Sequence, residues 1–181
     1  TTDSTCDLSA EQLKRHNIEL FPLCISMGDK CLRDGLEITP DDIYAHVDAG
    51  GDICTTSALN IADYSDRFSV LSKEYDAVIH LNISAEFSSC YQNAVLAAQE
   101  FDNVYVVDSR NLSTGHGHVV LRAAELAESG MDAQEIVNTL NVFTGKVDAS
   151  FILSRLDYMK KGGRCSSIVA LGANLLHLRP C

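Results

Sequence analysis

Apolar and polar positions follow two rhythms along the chain. Residues 77–83 (Ala-Val-Ile-His-Leu-Asn-Ile) form an almost unbroken apolar run, the pattern of a strand covered on both faces of a parallel sheet. Residues 104–107 repeat it and end in Asp108-Ser109. Elsewhere a spacing of three or four takes over. Ile61, Tyr64, Phe68 and Leu71 mark a helix over about 60–74, and Ala94, Val95, Ala97 and Ala98 mark another over about 91–100. Two further helices are predicted over about 117–128 and 133–143, separated by Gly130. Thr39-Pro40-Asp41-Asp42 supplies a capping hydroxyl, a proline for the first helical position and acids for the first turn. A helix therefore starts there and stops at Gly50-Gly51. Asp7 or Ser9 is the cap of a short helix ending near His16. Residues 18–27 read as a strand running into the Gly28-Asp29 turn, with Pro22 marking a sheet edge or a strand start. Residues 151–153 read as one more strand, followed by a short helix.

Strand, loop and helix recur in that order, which points to an α/β domain with a mainly parallel sheet. In such sheets ligands sit at the carboxyl ends of the strands, where loops meet helix N-termini. A boundary falls near Gly145, giving an α/β domain over 1–145 and the start of a second, incomplete α+β domain over 146–181.

Charge narrows the function classes. The 181 residues include 25 acidic and 14 basic side chains, a net charge of −11. So acidic a surface is a poor match to a phosphate backbone, which excludes general nucleic-acid binding. An apolar fraction of 46% with 22% charged residues fits a folded globule. Polar residues interrupt every long apolar run, so stable membrane insertion is not expected. The seven cysteines (Cys6, Cys24, Cys31, Cys54, Cys90, Cys165 and Cys181) form no Cys-x-x-Cys pair, which argues against structural zinc. Their odd number and the size of the chain argue against a disulfide framework. They are expected to be small buried thiols in a reducing cytoplasm.

Candidate chemistry gathers in four hydroxyl-rich loops: Asp3-Ser4-Thr5, Thr55-Thr56-Ser57, Ser84 with Ser88-Ser89, and Asp108-Ser109 with Ser113-Thr114-Gly115. Side-chain O–H and backbone N–H groups at helix N-termini can bind a carboxylate or phosphate without a buried lysine. Ser and Thr before helices are equally the ordinary N-caps. Gly115-His116-Gly117-His118 resembles a glycine-rich phosphate loop without the full dinucleotide fingerprint. His116 and His118 lie two apart, which points them away from one another as metal ligands, and His80 on an apolar strand reads as a satisfied core residue. Arg164, after two glycines, is the best single cation for a ligand or a partner.

Six stretches in order carry a family resemblance. They are Thr2-Asp3-Ser4-Thr5-Cys6-Asp7-Leu8, then Phe21-Pro22-Leu23 with Arg33-Asp34-Gly35, then Thr55-Thr56-Ser57, then Ile83-Ser84 through Ser88 to Tyr91-Gln92, then Val107-Asp108-Ser109, and Leu156-Asp157-Tyr158-Met159-Lys160-Lys161-Gly162-Gly163-Arg164. Together they resemble the DegV family of bacterial fatty-acid-binding proteins. The resemblance implies a three-layer α/β/α domain and a second α+β domain, with a long-chain fatty acid in an apolar tunnel between them. It implies a cytoplasmic carrier, not itself an enzyme, that needs no cofactor or metal and presents the fatty acid to a separate fatty acid kinase for acyl-phosphate formation. By the same resemblance Thr56 and Ser88 hold the carboxylate, Ser57 and the Ser89 backbone N–H assist, and Arg164 serves the head group or the kinase contact. Ala58-Leu59-Asn60 replaces the family's usual Gln-Pro-Ser, and Ser88-Ser89-Cys90 replaces Ser-Gly-Thr. Relative to the family the chain is expected to be truncated at both ends. Two other readings are an enzyme subunit related to dihydroxyacetone kinase that uses His116 or His118 on a small carbonyl or phosphorylated substrate, and a fragment that binds nothing by itself.

Overall fold

The computed structural model describes residues 1–153 and 156–166. They form two compact units. The first comprises Thr1–Leu23 and Ala58–Ala149, and the second Cys24–Ser57 with the described residues after Ala149. A single boundary near residue 145 does not describe this division, because the chain leaves the first unit at Leu23 and returns to it at Ala58.

In the first unit, β1 (Thr2–Asp3), β2 (Leu20–Phe21), β6 (Val78–Asn82) and β7 (Val104–Asp108) form a parallel sheet in the order β2-β1-β6-β7. The remaining strands, β3 (Cys24–Met27), β4 (Lys30–Arg33) and β5 (Thr55–Ser57), belong to the second unit. Residues 18–27 are thus two strands in two sheets. Pro22 lies between them and lacks the N–H that a continuous strand would need.

The two faces of the parallel sheet follow the alternation along β6. Ile79 and Leu81 face Val119, Val120, Ala123 and Leu126 of α5 (Ser113–Glu128) and Ile136 and Leu140 of α6 (Ala133–Phe143). Val78 packs on the opposite side with Tyr64, Phe68 and Leu71 of α3 (Ile61–Glu74) and Ala94 and Ala97 of α4 (Cys90–Ala98). The result is a three-layer α/β/α unit. His80 is fully buried on the α3 side, with its ring 4.6 Å from that of Phe21.

Three helices start with reciprocal capping boxes: Ser9 with Gln12 on α1 (Ala10–Arg15), Thr39 with Asp42 on α2 (Pro40–Asp48), and Asn60 with Asp63 on α3. Asp7 is not the N-cap of α1; it is the C-cap of the 3-10 turn Ser4–Cys6, in a left-handed conformation. Helix α5 begins at Ser113, four residues before its expected start. Gly115 and Gly117 are helical and buried, so the Gly-His-Gly-His stretch is a packing surface and not a loop. A side chain on Gly117 would collide with the Cys6 carbonyl.

The second unit is built on an antiparallel sheet in the order β4-β3-β5. Ile25 and Ile38 are buried there, and Tyr44 of α2 meets Tyr158 of α7 (Asp157–Lys161) edge-on at 6.5 Å. Residues 151–153 form no strand; Leu153 packs on Leu156 with Met159 and Cys165. Cysteine usage also departs from expectation. Cys24 and Cys31 are joined by a disulfide, whereas Cys6, Cys54, Cys90 and Cys165 are free. Cys181 lies outside the described residues.

Gly117→Ala tests the contact between α5 and the first turn. In an open helix that change gains up to about 1 kcal/mol. Here the Cys6 carbonyl must give way, and a loss of about 1–3 kcal/mol is expected, read as a lower urea midpoint. A raised midpoint would contradict the close approach.

Candidate functional site

Three strands of the first unit end in side chains that can hydrogen-bond: β1 in Asp3, β6 in Asn82 and β7 in Asp108. Two of them hold the loop of residues 83–89 in place. The Asp3 carboxylate accepts Ile83 N–H at 2.7 Å, and the Asp108 carboxylate accepts Ala85 N–H at 3.2 Å. Ser84 N–H donates to the Asn111 carbonyl, and the Ser84 carbonyl receives Phe87 and Ser88 N–H. The loop is therefore clamped at its start and folded into a turn before it reaches α4.

Ser88 and Ser89 sit at the head of α4. Ser89 is the exposed N-cap and makes no side-chain cap hydrogen bond. The half-buried Ser88 hydroxyl takes that place, accepting Cys90 N–H at 3.2 Å. Its own hydrogen is directed at the Cys90 sulfur, 3.1 Å away. Sulfur is a weak acceptor, so a carboxylate oxygen could draw that hydrogen away at little cost. The N-terminal N–H groups of α4 and its dipole favour an anion at the same place.

Thr56 and Ser57 lie in the second unit on β5, an edge strand opposite Ile25 and Cys24 of β3. Both are exposed, and among the described residues neither hydroxyl has a hydrogen-bond partner. Arg164 follows α7 in the same unit. Gly163 takes φ +78°, Gly163 N–H donates to the Lys160 carbonyl, and Arg164 N–H donates to the Met159 carbonyl. That is a Schellman closure, which accounts for the glycine at 163. The Arg164 side chain is exposed, and its guanidinium reaches the Gly162 carbonyl.

Two of the four hydroxyl-rich loops are spent on the fold itself. Thr5 donates both its N–H and its hydroxyl to Asp3, at 3.0 and 2.6 Å, and Ser4 accepts Leu23 N–H. Ser109 is fully buried and closes on Asn111, and Ser113 donates to Asp7. Asp3, Asp108 and Cys90 were named within the candidate stretches, but the clamping role of the two aspartates and the contact of Cys90 with Ser88 were not read from the sequence. An aspartate two residues before a threonine is the signature of an Asx-turn, a signal present at Asp3.

His116 is fully buried, with Nε2 3.0 Å from the Thr2 hydroxyl and Nδ1 3.2 Å from that of Thr5. Both ring nitrogens are thus occupied inside the core. His118 is exposed on α5. Among the described residues no cluster of three or more His, Cys, Asp or Glu is placed to hold a metal ion. No described helix is long and apolar enough to cross a membrane. A cavity of about 250 Å³ in the first unit is lined by Ile18, Leu71, Val78, Ile79, Val120 and Ala123. Ile18 and Val78 place it at the amino end of the sheet, away from the serine loop.

A family described as uncharacterised proteins of DegV type matches residues 1–181. The chain belongs to the DegV family. A DegV domain-containing protein of Clostridium perfringens is 31% identical over 180 residues, which cover 98% of this chain and 64% of that protein. A DegV protein of Thermus thermophilus, described for its fatty acid binding, superposes with a TM-score of 0.87 at 36% identity, covering 99% of this chain and 64% of that one. A stearic-acid-binding protein of Eubacterium ventriosum gives 0.82 at 28% identity, with the same two coverages. The chain thus spans somewhat under two thirds of the length of these DegV relatives.

The buried histidines set a pH dependence. Burial pushes the pKa of His80 well below its ordinary value, and that of His116 below it despite the Asp3 carboxylate 3.7 Å away. Both rings are neutral when folded, and each takes up a proton on unfolding below about pH 6.5. The unfolded chain then binds more protons, so stability falls as pH drops through that value. Between pH 7.5 and 5.5 the loss is about 1–3 kcal/mol, measured by urea unfolding. An unchanged midpoint would show that the rings are not held neutral.

Proposed function

We propose that the full-length protein binds a long-chain fatty acid and holds its carboxylate with neutral donors, the hydroxyls of Thr56 and Ser88 first, assisted by the Ser57 hydroxyl and the Ser89 backbone N–H. The observation that carries this reading is Ser88. It stands at the head of α4 on a doubly clamped loop, with its hydrogen on a weak acceptor. The DegV relatives described as fatty-acid-binding support the choice of ligand.

A carboxylate beside an apolar tail must leave water, and it needs hydrogen-bond donors to offset the loss. Each bond to a charged group contributes about 1.5–3 kcal/mol. Hydroxyls and backbone N–H groups provide them without neutralising the oxygens, which keeps the carboxylate nucleophilic for transfer of a phosphoryl group. The protein is then a carrier that presents its ligand to a fatty acid kinase for acyl-phosphate formation. The exposed Arg164 suits a contact with that partner. The rival reading, an enzyme acting on a small carbonyl or phosphorylated substrate, needs an available histidine: His116 is buried with both nitrogens engaged, and His118, exposed on α5 with its ring 5.4 Å from that of Phe143, is the residue on which that reading rests.

Stearate binding to full-length protein, followed by calorimetry and native mass spectrometry, tests the proposal. Ser88→Ala and Thr56→Ala are each expected to weaken binding about tenfold, while His118→Ala leaves it unchanged. Wild-type affinity in both hydroxyl variants, or no stearate bound by the wild type, would refute it.

A further inference from the structure

The Cys24–Cys31 pair has no part in the carrier reading, yet it lies one strand from the Thr-Thr-Ser segment. The two cysteines are diagonal neighbours across the β3–β4 hairpin, where Cys24 stands opposite Arg33 and Cys31 opposite Ser26, and their Cα atoms are 5.6 Å apart. The pairing places Cys24, Ser26, Cys31 and Arg33 on one face of the sheet. On its other edge β3 carries β5, with Cys24 opposite Ser57, Ile25 opposite Thr56 and Ser26 opposite Thr55. One end of the disulfide is therefore the direct cross-strand partner of Ser57, on the same face.

Two further features bear on what the bond does. Strand β4 buries little, since Lys30, Cys31 and Arg33 are exposed and Leu32 half-buried, so apolar packing contributes little to holding the hairpin. Strand β5 has three residues and pairs only with β3 among the described strands, so its placement depends on that strand. The sulfurs are also within reach of solvent, because Cys31 is exposed and Cys24 half-buried, in contrast to the buried Cys6 and Cys90.

We propose that Cys24–Cys31 is a redox-modification site whose substrate class is a dithiol reductant of the thioredoxin kind, and that its state sets the order of the Thr55–Ser57 strand. A thiolate of the reductant attacks Sγ of Cys31, the more exposed of the two residues, and the S–S bond to Cys24 breaks. Cys24 leaves as a thiolate and takes up a proton. The second thiolate of the reductant then displaces Cys31, which is likewise protonated. Two electrons and two protons pass to the protein, and the reductant departs as its own disulfide. With the covalent tie gone, the hairpin is held by its ladder alone, and β5 loses part of its support. The effect on ligand binding rests on the carrier reading; the redox chemistry and the effect on β5 do not.

The test uses full-length protein purified without reductant. Differential alkylation and peptide mass analysis should find Cys24 linked to Cys31, and dithiothreitol should free both. Hydrogen exchange in residues 53–57 should then quicken about tenfold, as expected when a local opening becomes easier. Stearate affinity should fall several-fold on reduction, and the double variant Cys24→Ser/Cys31→Ser should match the reduced protein with or without dithiothreitol. Free thiols before reduction, or equal exchange in both states, would overturn the inference. Equal stearate affinity in the two states would overturn its link to binding. If stearate binds in neither state, the carrier reading fails and exchange in 53–57 alone decides the redox proposal.

Discussion

A buried carboxylate governs the carboxyl edge of the parallel sheet. Asp3 is fully buried, and its side chain is met by Thr5 N–H, the Thr5 hydroxyl and Ile83 N–H, with the imidazole of His116 nearby. Burial disfavours charge on that imidazole, so donors more than a cation hold the carboxylate. This arrangement joins the first strand to the serine loop and orients the turn against which α5 packs. Gly117 of α5 then follows, since the helix must come close enough to touch Cys6, while Gly115 makes room for Asn111 and Ala149. The position of Ser88 depends on the same clamp.

The chemistry by which the protein holds its own acid is the chemistry proposed for its ligand. Around Asp3, backbone N–H and hydroxyl groups do the work that a lysine would do at the surface. At the head of α4, Ser88 and the helix N-terminus offer the same kind of donor to an incoming carboxylate, and on β5 Thr56 and Ser57 have hydroxyls to give. A cation would bind the acid more tightly but would also quench it. For the proposed carrier, whose ligand would go on to an acyl-phosphate, neutral donors reconcile burial with reactivity. The disulfide one strand away from Thr56 adds a means of altering one set of donors without touching the other.

Much of the first unit was legible because local signals and global packing agree there. The run through Val78 to Asn82 showed a doubly covered strand, Thr39 to Asp42 marked a helix start, and the spacing of Ile61, Tyr64, Phe68 and Leu71 marked a second helix, all of which the structure keeps. What escaped depends on contacts between distant residues. Pro22 marks a sheet edge or a strand start in the run from Ile18 to Met27, but nothing there reveals that the two halves join different sheets, since both are apolar and extended. The early start of α5 is hidden because glycine ordinarily weakens a helix, and only the close approach of Cys6 to Gly117 and of Asn111 and Ala149 to Gly115 accounts for the two glycines. Cys24 and Cys31 look like isolated thiols until the hairpin register brings them together. At the site, hydroxyl content pointed to four loops; which of them keep donors to spare was decided by hydrogen bonds such as Thr5 to Asp3 and Ser113 to Asp7.

The most direct measurement is a high-resolution crystal structure of the full-length protein with stearate bound. The account predicts both carboxylate oxygens within hydrogen-bonding distance of hydroxyl or backbone N–H donors, Ser88 among them, and no Lys or Arg side chain on either oxygen. A head group held by a cation, with Ser88 still directed at Cys90, would contradict it.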